Sequence, residues 1–287
     1  MGNDVRDTAG FDSRLTYQGV EAPEGFADEG ALGMYRSHCL AKAAVEGRFL
    51  EAMLPVPGTA FEIGCGNGRN LFHLARRGLI RSAVGIDIAE SRIAFAKAWA
   101  GDLGLDDRIE LRAADALTLP AQAGGFDLII CITAAFGYFE PLEAGGDRKV
   151  MDWITANLRP GGRLVMELYL YPSEIALLRQ RPGGPLRHWA ELPEKDPFRF
   201  YLHERWWDGE KRFLYHKKLF IHRSGRVDEG RGDCQRIYTL PEISDLARSA
   251  GLLVEKACGD WEGTPYREGD ELLVLQARKP GRTPQPH

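Results

Sequence analysis

Between Thr59 and Leu168 the chain alternates short apolar runs with segments of helical period. Ala60-Phe61-Glu62-Ile63 and Ala83-Val84-Gly85-Ile86-Asp87 read as the first two strands, residues 108–112 as a third, 126–131 as a fourth and 163–168 as a fifth. The fourth run is apolar enough to be covered on both faces, as strands of a parallel sheet are. Between the strands, Leu71, Phe72 and Ala75 mark a helix that Gly78 caps, residues 91–100 a second, and Val150, Trp153, Ile154 and Leu158 a third. Strictly alternating strands and helices predict an α/β fold, doubly wound around a mostly parallel sheet. Upstream, Leu32, Tyr35, Leu40, Ala43, Ala44, Phe49 and Leu50 recur at helical spacing until Pro55. Residues 1–30 are polar and glycine-rich and read as a flexible arm that orders over a ligand.

The alternation breaks at residues 171–238, which are richer in aromatic and basic groups and show period two from Phe198. Asp208-Gly209 signals a two-residue hairpin turn. It would set Trp207 opposite Glu210, His203 opposite Leu214 and Tyr201 opposite His216. Arg199, Tyr201, His203, Arg205, Arg212, His216 and Lys218 then share a polar face, which reads first as solvated; the alternative is a lining for a polar, anionic ligand. Thr239-Leu240-Pro241-Glu242 is a capping box that restarts the core pattern. Two strands, 252–257 and 271–277, close it. The organisation expected is an arm and cap helix (1–54), a core (55–170 and 239–279), an inserted antiparallel lid (171–238) and a disordered tail (280–287).

Composition narrows the partners. The chain has 287 residues, 44% hydrophobic and 27% charged, with a net charge of -4. An acidic balance points away from nucleic acid, whose phosphates select a basic excess. No apolar run reaches membrane-spanning length, and no signal-peptide core or myristoylation pattern is present. Cys39, Cys65, Cys131, Cys234 and Cys258 are scattered and odd in number, as in a cytoplasmic protein with reduced thiols. A homo-oligomer stays open.

The glycine turn after the first strand, Gly64-Cys65-Gly66-Asn67-Gly68, sits where doubly wound sheets bind ligands. Its G-x-G-x-G spacing differs from the dinucleotide G-x-G-x-x-G, and Glu62 precedes it. Asp87 ends the second strand 23 residues after Gly64, where a carboxylate accepts ribose hydroxyls. Together with Ala114-Asp115-Ala116 and Leu158-Arg159-Pro160-Gly161-Gly162, these residues resemble, in order and spacing, four motifs of the class I S-adenosylmethionine-dependent methyltransferases. The resemblance covers residues 59–168 and implies a Rossmann-like, seven-stranded sheet whose last strand is antiparallel. It implies S-adenosyl-L-methionine as cofactor, with Gly64, Cys65, Gly66 and Gly68 making room for its amino-acid part and Glu62 answering the ammonium. Asp87 and Ile88 would meet the ribose, Asp115 and the Ala116 amide the adenine, and the Cys131 carbonyl the ammonium. Tyr17 resembles an early tyrosine that closes over the cofactor.

After the fourth strand, Thr133-Ala134-Ala135-Phe136-Gly137-Tyr138-Phe139 would face the transferable methyl. Phe136 and Tyr138 are candidate walls of the acceptor pocket, with Tyr201 from the lid, and the Tyr138 hydroxyl is a candidate for orienting the nucleophile. The loop lacks the Asn/Asp-Pro-Pro-Tyr motif of nucleobase-amine methylases. The lid resembles that of antibiotic-sugar N-methyltransferases, so a small-molecule acceptor is expected. No metal-ligand cluster or His-Asp pair stands out at a motif position, which favours N-methylation. His203 and His216 would restore O- or C-methylation if the polar lid face pointed inward. A nicotinamide oxidoreductase and a catalytically silent binding protein remain as alternatives.

Overall fold

A computed structural model describes residues 11, 13–18, 21, 26, 28–54, 56–121, 125–181, 184–194, 198–228 and 232–281. The chain runs α1 (Ser13–Thr16), α2 (Glu29–Glu51), β1 (Gly58–Ile63), α3 (Arg69–Arg76), β2 (Ile80–Asp87), α4 (Glu90–Asp102), β3 (Ile109–Ala113), β4 (Phe126–Cys131), α5 (Phe139–Leu142), α6 (Gly146–Asn157) and β5 (Leu158–Tyr169). It continues α7 (Pro172–Arg179), β6 (Leu186–Glu191), β7 (Phe198–Asp208), β8 (Phe213–His222), β9 (Val227–Asp228), β10 (Gly232–Arg236), α8 (Leu240–Ser249), β11 (Leu253–Cys258) and β12 (Leu272–Arg278).

The main sheet has seven strands in the order β11-β12-β5-β4-β1-β2-β3. β1, β2, β3, β4 and β5 are parallel, and β12 lies antiparallel between β5 and β11. Successive residues of a strand point to opposite faces, and both faces of β4 are covered. Ile130 joins a core with Phe72, Trp99 and Val165, and Ile129 one with Phe61, Ile154 and Ile243. Strand order reverses between β1 and β4, so a crevice opens beyond their carboxyl ends.

The second sheet, β10-β8-β7-β6 with β9 also on β8, is antiparallel. Its central hairpin corrects the expected register. Asp208 pairs with Phe213, so the loop is the four residues Gly209 to Arg212, and His203 faces Lys218 and Tyr201 faces Phe220. The Asp208 carboxylate explains the change. Its Oδ1 accepts the Glu210 and Lys211 amides at 3.0 Å each, and Arg212 closes the loop at φ 58°. A two-residue turn would instead need positive φ at both central residues. The slip is even, so the side chains from Phe200 to Asp208 and from Phe213 to Ile221 keep their faces, while Arg212 leaves the polar face for the loop.

Beyond the exposed Arg199, that polar face does not lie in solvent. His216 is 3% exposed and Asp233 of β10, which meets it, is fully buried. Lys218 donates to Asp233 at 2.5 Å, and Arg205 pairs with Glu174 of α7. Paired charges of this kind tolerate burial where lone ones do not. The described part of the N-terminal arm is likewise docked. Phe11 bridges to Gly232 and packs on Trp206 and Tyr215, and Ser13 exchanges hydrogen bonds with the Cys234 backbone. The rest of the arm, and the expected disordered tail beyond Gly281, fall outside the described residues. All five cysteines are buried free thiols.

Candidate functional site

The crevice beyond β1 and β4 is a cleft of about 200 Å³. Its wall includes Gly64, Cys65 and Gly66 of the glycine turn, Asp87 and Ile88 after β2, Asp115 and Ala116 after β3, and Thr133 and Tyr138 after β4. Tyr17 and Arg14 of the N-terminal segment close it from above.

The glycines serve different ends. Gly64 and Gly66 hold φ values of 70° and 54°, in the left-handed region that costs an ordinary residue strain. A side chain on Gly64 would collide with Ala135, and one on Gly66 with the Arg92 guanidinium. Gly68 stands outside the wall: it precedes α3, where a side chain would strike the Phe72 ring.

Asp87 is buried and accepts the Gly66 amide at 2.8 Å and the Ala89 amide at 2.9 Å. Arg92, on the first turn of α4, lies 3.9 Å from it and donates to Glu21 at 3.0 Å. Asp115 caps the short turn Ala116–Thr118 through the Leu117 amide at 2.9 Å and accepts Arg14 Nε at 3.2 Å. Gln18 donates to the Ile88 carbonyl at 3.0 Å, and Ser13, Arg14 and Tyr17 of the same N-terminal segment line the cleft.

Tyr17 and Tyr138 join hydroxyl to hydroxyl at 2.9 Å, and Gln235 of β10 donates to the Tyr138 oxygen at 2.6 Å. Burial, with Asp233 nearby, holds the Tyr138 phenol well above its usual range, so it stays protonated. The Tyr17 ring has the Arg92 guanidinium 5.6 Å and the Lys218 ammonium 5.4 Å from its centre, a cation from the core and one from the lid.

Seven residues singled out from sequence lie outside the wall. Glu62 is buried, with Oε1 accepting Asn70 at 3.1 Å and Oε2 having no hydrogen-bond partner among the described residues. Burial pushes its carboxyl up to about 8. The Cys131 side chain packs into the core on the far face of β4, and the residues after it, Ile132 and Thr133, line the wall. Phe136 is fully buried against Phe139 and Tyr238, and Phe139 takes the wall position. The Tyr201 hydroxyl bonds His203 Nδ1 at 3.0 Å, and His203 stacks on His188. His216 Nδ1 lies 3.4 Å from Asp233, against the Tyr171 ring, and its Nε2 has no hydrogen-bond partner among the described residues. Gly68 completes the seven.

Sequence reasoning missed Arg14, Arg69 and Arg92 in the wall, and Gln235 behind it. Arg92 carried a usable signal, since five residues past a strand-end acid falls on the next helix's first turn. Among the described residues no group of three His, Cys, Asp or Glu could hold a metal ion, and no helix is long and apolar enough to cross a membrane.

Residues 60–162 match the family model described as a methyltransferase domain. A curated relative, 27-O-demethylrifamycin SV methyltransferase of Amycolatopsis mediterranei, is 33% identical over 132 residues. That match covers 45% of this chain and 46% of the relative, so it spans about half of the relative's length. Among solved structures, the CcbJ methyltransferase of Streptomyces caelestis superposes with a TM-score of 0.69 at 18% identity, covering 83% of this chain and 90% of that one. SAM-bound CalS10 of Micromonospora echinaspora, an amino pentose methyltransferase involved in calicheamicin biosynthesis, gives 0.59 at 21% identity, covering 86% and 95%. At these identities the structural likeness is one of fold.

Proposed function

We propose that this chain, whose residues 60–162 match a methyltransferase domain set in a Rossmann-like sheet, is an S-adenosylmethionine-dependent methyltransferase that methylates the amine nitrogen of a small polar acceptor. The cleft suits the cofactor. The side-chain-free cradle at Gly64 and Gly66, the Asp87 carboxylate beside it, and the unpartnered buried Glu62 Oε2 behind it match a ligand with an ammonium and a ribose. Asp87 would accept from the ribose, Asp115 from the adenine amino group, and the Ala116 amide would face the ring. When bound, the cofactor supplies an electrophilic methyl on a positive sulfur and leaves as a neutral thioether.

One observation carries the choice of nitrogen. Apart from Asp87 and Asp115, the described wall offers the hydroxyls of Ser13, Tyr17, Thr133 and Tyr138 and the guanidinium groups of Arg14, Arg69 and Arg92, and neither a further carboxylate nor an imidazole. An acceptor there has to bring its own lone pair, and a neutral amine does. Its lone pair forms the new N–C bond, the S–C pair departs with sulfur, and the methylated nitrogen sheds a proton to water. The protein's share is alignment and exclusion of water, worth on the order of 7–11 kcal/mol in well-oriented reactions. The Tyr17–Tyr138 pair orients the amine, with Gln235 fixing the Tyr138 oxygen.

The test is product analysis. Radiolabelled S-adenosylmethionine would be offered with a panel of small amines, including amino sugars, alongside phenols and alcohols. N-methyl products are expected, at a rate rising tenfold per pH unit up to the acceptor's own pKa. Exclusive O- or C-methyl products would overturn the nitrogen assignment.

A second reading, O-methylation, draws on the inward His216–Asp233 pair with its unpartnered Nε2. Burial, with Lys218 nearby, keeps His216 neutral well below its usual range. On that reading His216→Asn would abolish turnover, whereas amine methylation would survive it.

A further inference from the structure

We propose that Glu167 is a positioning residue that sets the loop after β4, and through it the wall where donor and acceptor meet. The proposal rests on the cofactor reading of the cleft and adds a residue that touches neither ligand. Thr133 and Ala134 follow one another at φ 57° and 58°. Two successive non-glycine residues in the left-handed region persist only where surroundings over-determine them. The loop cannot relax toward β1, because Ala135 already abuts Gly64 so closely that a side chain there would clash.

Glu167 supplies the restraint. It lies at the end of β5, 2% exposed, on the sheet face opposite Met166 and Leu168. Its Oε2 accepts the Thr133 amide at 2.6 Å, and its Oε1 accepts the Trp261 indole at 2.9 Å. Bonds to a carboxylate are shorter and stronger than those between neutral groups. Thr133 is gripped a second time through its hydroxyl, 3.4 Å from Arg69 Nη2, and Arg69 is itself held by both Glu46 oxygens at 2.9 Å. Side chains from α2, α3 and β5 thus converge on one exposed wall residue.

The chemistry dictates a carboxylate at 167. Both neighbours are donors, so the residue between them has to accept twice. Glutamine accepts once and presents its amide N–H to the other donor. Glu167→Gln should therefore fail although it is nearly isosteric. Trp261→Phe removes one donor, so the double variant Glu167→Gln/Trp261→Phe should regain what the single one lost. A residue that merely filled space would show no such rescue.

The probe is S-adenosylhomocysteine, titrated by calorimetry into the full chain, with the downfield Thr133 amide proton followed by NMR. Glu167→Gln is expected to weaken binding about tenfold relative to wild type and to shift the Thr133 resonance. Glu167→Gln/Trp261→Phe is expected within about threefold of Trp261→Phe alone, with the resonance restored. Wild-type affinity in Glu167→Gln, or a double variant no better than it, would overturn the proposal. If Glu167→Gln does not fold, the double variant decides: it has to fold and bind as Trp261→Phe does. Wild-type protein that ignores S-adenosylhomocysteine would sink the cofactor reading itself, a different outcome from any of these.

Discussion

Asp87 does two jobs with one carboxylate, and the pair can be separated by measurement. Its oxygens satisfy the Gly66 and Ala89 amides, so it shapes the glycine turn from within, and it also faces the cleft where a ribose would lie. Asp87→Ala should weaken S-adenosylhomocysteine binding by roughly 1.5–3 kcal/mol, the worth of a hydrogen bond to a charged group. It should also lower unfolding stability by about 1–3 kcal/mol, the cost of leaving buried donors unpaired. Calorimetry reads the first and urea titration the second; a change in neither would remove Asp87 from both roles. The acid's place at a strand end was legible in the sequence. Its second duty was not, because the amides it serves become neighbours only after β1 and β2 pair.

Among the elements, local signals were the readable ones. The capping box of α8 is written in four consecutive residues and forms as written: Thr239 Oγ1 accepts the Glu242 amide at 3.3 Å, and Glu242 accepts the Thr239 amide at 2.7 Å. Thr239→Ala should cost about 1 kcal/mol of stability in denaturant titration and leave cofactor affinity untouched. The β7–β8 hairpin shows where local reading fails. Asp-Gly announces a turn, yet an aspartate that accepts amides two and three residues ahead begins a longer one. Parity saved the face assignment, but not the inference about its surroundings. Which way the polar face points depends on β10 and on Tyr17, one more than 200 residues from the other. The same long reach hid Arg69 and Glu167, whose roles come from partners on other elements.

For the molecule as a whole, buried acids tie stability to pH. Glu62 titrates near 4.5 when exposed and about 8 in the fold. A raised carboxyl means the folded state holds the extra proton, so this contribution is complete below pH 4.5 and is lost as pH climbs through 8. Burial raises Glu167 and Asp233 as well, which adds in the same direction, whereas the lowered His216 opposes it on the acid side. Urea titrations across that range should show stability falling with pH, with at most about 1.4 kcal/mol per pH unit from one proton. Glu62→Gln should flatten the slope; an identical slope would mean Glu62 stays ionised. The parallel sheet, by contrast, was legible nearly strand for strand, since runs covered on both faces leave no choice of period.

Tyr17 has one cation from the main-sheet side, Arg92, and one from the second sheet, Lys218, beside its ring, and on the proposed reading it lies where methyl donor and recipient would meet. Whatever fastens that ring from one side prepays the ordering that the other side requires. Binding of donor and of recipient would then be linked, and linkage is reciprocal: the factor by which donor tightens recipient is the factor by which recipient tightens donor. Reshaping the enzyme for a bulkier recipient beside this ring would retune its grip on the nucleoside as well.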